Sequence, residues 1–278
     1  MRNLYDQIAA QASRQTTRLY STSFSLGIFL LNRRLHQPIY AIYGFVRFAD
    51  EIVDTFHDQD QAHLLEQFRK DTDDAISRRF SMNPILHSFQ QAVHRYGIGR
   101  DLIDTFMNSM KMDLDMQQFD AGHYKQYILG SAEVVGLMCL RVFCNGNDTA
   151  YEQLKPYAMR LGSAFQKINF LRDLRADYEL LGRNYFPDVD VSQLTDADKR
   201  MIEQEIERDF RQAAIGIRLL PRTARFGVYV AYMYYYQLFR KIRKVPAKRV
   251  LRERIRISNH RKYGILLQSY FRHSLNLL

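Results

Sequence analysis

The sequence predicts an all-α protein. Apolar residues recur at three- and four-residue spacing along most of the chain. No run shows sustained period-two alternation. The six prolines punctuate the periodic segments rather than interrupt them. With 278 residues, 46% of them hydrophobic, the chain can bury a large core. No Gly/Ser-rich or Pro-rich linker and no low-complexity tract divides it, so residues 1–278 read as one helical domain.

The elements follow in order. Pro38 suits the first turn of a helix running past Asp54, ended by the polar stretch Thr55 to Gln61. A helix from Gln61 to about Arg79 precedes a break at Asn83-Pro84. Pro84 to Tyr96 is helical, Gly97 and Gly99 interrupt, and Arg100 to Phe119 is helical again. His123 to Phe143 makes the next helix, closed by Asn145-Gly146-Asn147-Asp148. Thr149 to Leu181 is one long helix, and Gly182 to Asp190 is a loop. Thr195 and Asp198 have the spacing of a capping box, opening a helix to Leu220. Pro221 begins the final region, with helices near 222–244 and 246–275.

Composition narrows the function classes. Cys139 and Cys144 lack zinc-site spacing and read as reduced thiols of a cytosolic protein. The N-terminus lacks the apolar run of a signal peptide, and the nearest membrane-like stretch, Phe226 to Phe239, is too short to span a bilayer. The net charge is +10, and its excess lies in one place. Arg240 to Lys262 holds 11 Lys/Arg and a single acid, Glu253, while the rest of the chain carries 29 of each sign. A solvated face, an anionic membrane surface and an anionic ligand all fit such a segment. No nucleic-acid-binding motif accompanies the charge, so nucleic acid is not expected as a partner.

Two acidic cassettes carry the chemistry, Asp50-Glu51-Ile52-Val53-Asp54 and Asp173-Leu174-Arg175-Ala176-Asp177. Residues four apart on a helix point the same way, so each cassette aims two carboxylates at one place. Ile39, Tyr43, Val46, Asp50 and Asp54 form one inward stripe, and Gly162, Gln166, Asn169, Asp173 and Asp177 form another. Two such pairs suggest metal-binding walls facing each other across a cavity. Like charges pointed into a low-dielectric space need a cation. Carboxylate oxygens suit Mg²⁺, with substrate phosphates completing its shell. The nearby arginines Arg47, Arg172, Arg175 and Arg183 suit planar recognition of phosphate oxygens.

Tyr43-Gly44-Phe45-Val46-Arg47-Phe48-Ala49-Asp50-Glu51-Ile52-Val53-Asp54 resembles the first Asp-rich motif of the squalene/phytoene synthase family. Phe165-Gln166-Lys167-Ile168-Asn169-Phe170-Leu171-Arg172-Asp173, followed by Asp177 and by Gly182-Arg183-Asn184-Tyr185-Phe186-Pro187, resembles the second. Ser21-Thr22-Ser23-Phe24 is similar to a flap element, Tyr127 and Val134-Val135-Gly136 to a channel-lining helix, and Tyr235 with Arg254-Ile255-Arg256-Ile257-Ser258 to a C-terminal phosphate-contacting element. The resemblance covers roughly residues 15–262 and within the family is nearest to bacterial phytoene synthases.

The resemblance implies an isoprenoid-synthase fold with helices around a central channel, and head-to-head condensation of two prenyl diphosphates. Asp50, Asp54, Asp173 and Asp177 would hold Mg²⁺, with Mn²⁺ as an alternative. Ser21, Ser23, Arg47, Gln166, Asn169, Arg172, Arg183, Tyr235 and Arg254 would bind diphosphate. Phe24, Ile28, Val134, Val135, Gly136 and Ala164 would line the channel, and Tyr43, Tyr127 or the diphosphate would serve the final proton step. Glu51 stands off the inward line and is expected to matter little. Gly130, Ser131, Ala132 and Gly136 fit either room for long chains or close helix packing.

The expected reaction takes two geranylgeranyl diphosphates to phytoene in carotenoid biosynthesis. The same chemistry on farnesyl diphosphate would give squalene or dehydrosqualene, with NADPH needed only for squalene. A non-catalytic helical protein docking through its basic segment leaves the two acidic stripes unexplained. The expected location is cytoplasmic, peripheral on the inner face of the cytoplasmic membrane, with the basic segment 240–262 at the lipid surface.

Overall fold

Polar residues just ahead of apolar stripes start most of the helices. Asn32, Asp60, Asn83, Asp120 and Asn147 each accept a hydrogen bond from a first-turn N–H, and Thr195 and Asp198 form the reciprocal capping box. The computed structural model describes residues 2–187, 189–257 and 269. Its helices are α1 Arg2–Tyr20, α2 Thr22–Phe29, α3 Arg33–Asp54, α4 Gln61–Arg78, α5 Pro84–Tyr96 and α6 Arg100–Asp115. They continue with α7 Ala121–Ile128, α8 Val134–Cys144, α9 Asp148–Leu181, α10 Asp196–Leu219, α11 Arg222–Arg243 and α12 Ala247–Val250. Among the described residues no strand forms, and Gln118 and Asn184 make an isolated bridge.

The buried stripe of α3, Leu35, Ile39, Ile42, Phe45, Ala49 and Val53, anchors the core. Phe45 stacks on Phe89 at 4.0 Å and meets Phe106 at 5.3 Å. Full burial of such a side chain contributes roughly 1.5–3 kcal/mol. On the other side α9 and α10 run antiparallel. Buried Lys167 on α9 pairs with Asp209 of α10 at 2.7 Å, and Ser163 donates to the same carboxylate. Nearer the start of α9, Gly216 lets α10 close over Tyr157, where an added Cβ would lie 2.2 Å from the Tyr157 Cβ. Helix α2 lies antiparallel on α11: Phe24 meets Tyr235, Gly27 sits against the Gly227 carbonyl, and the Asn32 N–H donates to the Thr223 carbonyl at 2.9 Å. These pairings give the bundle two ends. The last turns of α3, α9 and α11 gather at one, and the first turns of those helices gather at the other with the end of α10.

Several boundaries differ from the sequence expectation. Helix α3 begins at Arg33 rather than at Pro38 and stops at Asp54. Pro38 lies in its second turn, where the missing N–H costs a single backbone bond. The expected 123–143 helix begins at Ala121 and holds a π-turn at Leu129–Glu133 between α7 and α8. Helix α6 ends at Asp115, four residues short of Phe119. Helices α1 and α2 occupy the N-terminal segment that the sequence reading leaves without elements. In place of a 246–275 helix, only Ala247–Val250 is helical, 251–257 is irregular, and most of the remainder lies outside the described residues.

By length and composition one helix could cross a membrane, Ala121–Cys144 with a mean hydropathy of 1.6. Half of its most apolar window is buried, and it packs against α3, α6 and α9 as a core helix. The apolar run Phe226–Phe239 sits within α11.

Candidate active site

Between these helices lies a cavity of about 890 Å³. Both acidic cassettes line its mouth, at the last turns of α3 and α9, where the stripe argument places them. The walls face each other closely enough to interact. Burial first, then Asp54, raises the Asp50 carboxyl to about 7. Asp177 is likewise raised to about 7, by burial and then by Asp173 and by Asp54 on the opposite wall.

Each wall has its own guanidinium. On α3, Arg47 is gripped by Glu51, lies 3.9 Å from Asp50, and stacks on Tyr20 at 4.3 Å. Its buried Nε has no hydrogen-bond partner among the described residues. Glu51, expected to matter little, is thus the residue that aims Arg47. On α9, Arg172 pairs with the neighbouring Asp173, which also meets Arg254 from the C-terminal segment at 2.6 Å. Arg175 departs from the expectation: it turns outward to Glu179 and to the Arg252 carbonyl.

Arg183 joins the walls. Gly182 ends α9 in the left-handed conformation (φ +66°), and the chain turns back so that the Arg183 N–H donates to the Asp177 carbonyl. The buried guanidinium then reaches Asp54 at 2.8 Å, the Val53 carbonyl at 3.1 Å and Asp113 at 3.8 Å. Asp113 of α6 accepts hydrogen bonds from Tyr127 at 2.7 Å and Tyr185 at 2.9 Å. Burial raises its carboxyl to about 7 against the opposing pull of Arg183. The sequence reading missed Asp113. The signal was present, because Phe106, Met110 and Asp113 continue one buried stripe at i, i+4 and i+7.

An aromatic belt leads inward. Phe165 stacks on Tyr235 at 3.9 Å, and Phe24 lies 5.7 Å from Tyr43 and 6.2 Å from Tyr235. Tyr235 donates weakly to Asn169, whose amide reaches Gln166, both at 3.4 Å. Ser21 caps α2 and bonds the Tyr43 phenol, while Ser23 faces the cavity. Burial raises the Tyr43 phenol to about 12 and the Tyr127 phenol further. Beyond the belt the wall is apolar, with Leu31, Leu140, Phe143, Leu154, Ile217 and Leu220.

Phe24, Ile28, Val135 and Gly136 line the cavity as expected, but Val134 and Ala164 do not. Both are buried in helix packing on the side of α8 and α9 turned away from the space. Ser131 and Ala132 face the cavity, whereas Gly130 serves packing, since a Cβ there would meet the Ser109 side chain at 2.5 Å. Cys139 and Cys144 are free thiols, and Cys139 lines the wall. Ser258 lies outside the described residues.

The oxygen donors fit a hard divalent cation. Asp50 and Asp177 are raised first by burial and then by neighbouring carboxylates, and a cation between the walls would favour their charged forms. Among the described residues no three carboxylate, imidazole or thiolate groups converge on one point. The cassettes can therefore supply only part of a cation's shell, leaving positions for water or phosphate oxygens.

The family model described as squalene/phytoene synthase matches residues 17–261. Relatives include a 4,4'-diapophytoene synthase of Staphylococcus haemolyticus, 27% identical over 72% of this chain and 68% of its own length. A presqualene diphosphate synthase of Rhodopseudomonas palustris is 26% identical over 89% of this chain and 92% of its own. A phytoene synthase of Mycobacterium bovis is 27% identical over 78% and 75%. The crystal structure of a dehydrosqualene synthase in complex with ligand superposes with a TM-score of 0.84 at 20% identity, covering 97% of this chain and 98% of that one. The fold is therefore the all-α isoprenoid-synthase fold. The match over nearly the whole chain, with both cassettes on one cavity, makes this protein a member of the squalene/phytoene synthase family, whose members are head-to-head prenyltransferases.

Proposed function

We propose that the protein condenses two geranylgeranyl diphosphates head to head, through a cyclopropyl diphosphate, to phytoene. The observation that carries this reading is one continuous cavity with a charged mouth and a long apolar body. At close-packed density a prenyl carbon fills roughly 20–25 Å³, so forty carbons need roughly 800–1000 Å³. The cavity holds about 890 Å³ with its charged mouth included, which accommodates long prenyl chains. Thirty carbons would need roughly 600–750 Å³, and product length separates the two.

Asp50, Asp54, Asp173 and Asp177 would hold Mg²⁺ or Mn²⁺, which supplies Lewis-acid stabilisation of charge on the departing diphosphate. The chain's own groups do the rest. Arg172, Arg183 and Arg254 and the free Arg47 Nε bind diphosphate oxygens, with Gln166, Asn169 and Tyr235 beside them. Phe24, Phe165 and Tyr235 offer π-faces to the allylic cation and exclude the water that would quench it. Tyr43 and Tyr127 stay protonated at neutral pH, and Tyr127 spends its proton on Asp113. The released diphosphate is therefore the base we favour for the closing proton loss.

Condensation of two farnesyl diphosphates is the second reading. It is favoured by the name of the Staphylococcus haemolyticus relative, a diapophytoene synthase. Incubation with each prenyl diphosphate and Mg²⁺, with and without NADPH, tests both. A C40 product from geranylgeranyl diphosphate is expected. A C30 product with no C40 product would overturn the phytoene reading and leave the condensation chemistry standing.

A further inference from the structure

The two ends of the cavity differ in charge, and the difference reaches the outer surface. No aspartate or glutamate occurs from residue 7 to 49 or from 210 to 252. The fold brings parts of both acid-free stretches together at the apolar end. The Asn32 N–H donates to the Thr223 carbonyl, and the Arg225 guanidinium donates to the Leu220 carbonyl. The turn between α2 and α3 and the turn between α10 and α11 thus form one corner. Leu31 and Leu220 face the cavity from inside it. Outside, Phe29 and Leu219 are 66% and 49% exposed. Arg33, Arg34, Arg218 and Arg222 are exposed beside them and carry no ion pair among the described residues. The acids that open α9 at this end, Asp148 and Glu152, are paired with Arg141 and Lys155.

The basic C-terminal segment is used differently. Arg254 pairs with Asp173, Lys241 donates to the Arg256 carbonyl, Arg243 pairs with Glu207, and Arg249 pairs with Glu253. Arg240, Lys244, Lys248 and Arg252 are exposed without an ion pair among the described residues, but no large apolar side chain is exposed beside them to enter a headgroup layer.

We propose that the corner of Phe29, Arg33, Arg34, Arg218, Leu219 and Arg222 is the face that docks on an anionic lipid bilayer. Phe29 and Leu219 enter the headgroup layer, and the arginines meet lipid phosphates. The inference rests on the prenyl-condensation reading, whose hydrocarbon product must pass from cavity to lipid. Helix α2 is the wall between the two. It is eight residues long, its Gly27 and Ile28 line the cavity together with Leu31 of the following turn, and it meets α11 at the Gly27–Gly227 seam.

Flotation of the full chain with phosphatidylcholine vesicles, with and without phosphatidylglycerol, tests this at low and high salt. Binding to the anionic vesicles alone, weakened by salt, is expected. The paired variant Phe29→Asp/Leu219→Asp should lower binding about tenfold, as should Arg33→Glu/Arg34→Glu. Lys248→Glu/Arg249→Glu, at the mouth end, should leave it unchanged. Turnover of all three variants in detergent micelles should match the parent, which separates docking from folding. Equal binding to neutral vesicles, no vesicle binding, or loss through the Lys248/Arg249 variant alone would overturn the proposal. Vesicle binding by a chain that turns over no prenyl diphosphate would support the docking face and overturn the condensation reading.

Discussion

The mouth and the far end of the cavity are built by opposite means. Around the mouth stand five carboxylates, Asp50, Asp54, Asp113, Asp173 and Asp177, and five arginines, Arg47, Arg172, Arg183, Arg254 and Arg256. The far end is closed by aliphatic and aromatic side chains with close glycine contacts at Gly216 and Gly227. At the mouth the numbers balance but the geometry does not. Arg47 is shared with Glu51, Arg172 and Arg254 both serve Asp173, and Asp50 and Asp177 are left raised to about 7. Burial supplies the larger part of this shift and the neighbouring carboxylates the rest, and a cationic partner would relieve both. The far end stores empty apolar volume, which a chain of matching shape fills. Under the proposed condensation, one end would set which chemistry is possible and the other which substrate length is accepted.

The largest effects are expected at the mouth. Asp50→Asn or Asp173→Asn should lower kcat by roughly a thousandfold or more, as loss of a principal charge-stabilising group does. The melting temperature should hold or rise for Asp50→Asn, because a repelled buried charge is removed. Chelation should abolish turnover, and Mg²⁺ or Mn²⁺ should restore it. Full turnover in either variant would break the assignment of the mouth. Next comes Asp113→Leu, which strips Arg183, Tyr127 and Tyr185 of a shared acceptor. A destabilisation of roughly 3 kcal/mol in denaturant melts, with a large loss of kcat, is expected from unpairing buried polar groups. An unchanged melt would show that the network is dispensable.

At the far end, Ala158→Phe fills apolar space without touching a charge. It should shift the ratio of C40 to C30 product downward about tenfold, the order that one pocket contact can discriminate. An unchanged ratio would mean that the chain ends stop short of that wall. The smallest effect is expected for Glu51→Gln, which loosens Arg47 without removing it. A rise in KM of about threefold with little change in kcat fits a charge-assisted bond worth well under 1 kcal/mol at a half-buried site. A collapse of kcat would promote Glu51 to the catalytic machinery.

Much of this was determined by the sequence alone. Helix period, caps and breaks depend on residues within a few positions of each other, so the bundle and the capping box of Thr195 and Asp198 were legible. The inward aim of both cassettes was legible for the same reason, since a stripe on one helix states which face is buried. The tertiary structure decided whatever depends on two distant segments meeting. Asp113 gained its role from Tyr127, Tyr185 and Arg183 on other elements, and Glu51 from the rotamer of Arg47. Val134 and Ala164 were lost from the channel because a buried residue can face a neighbour helix as well as a cavity. Arg254 of the basic segment could not be placed at the mouth until it was seen against Asp173, some eighty residues away. Local spacing carries the direction of a side chain, and only packing supplies what stands opposite it.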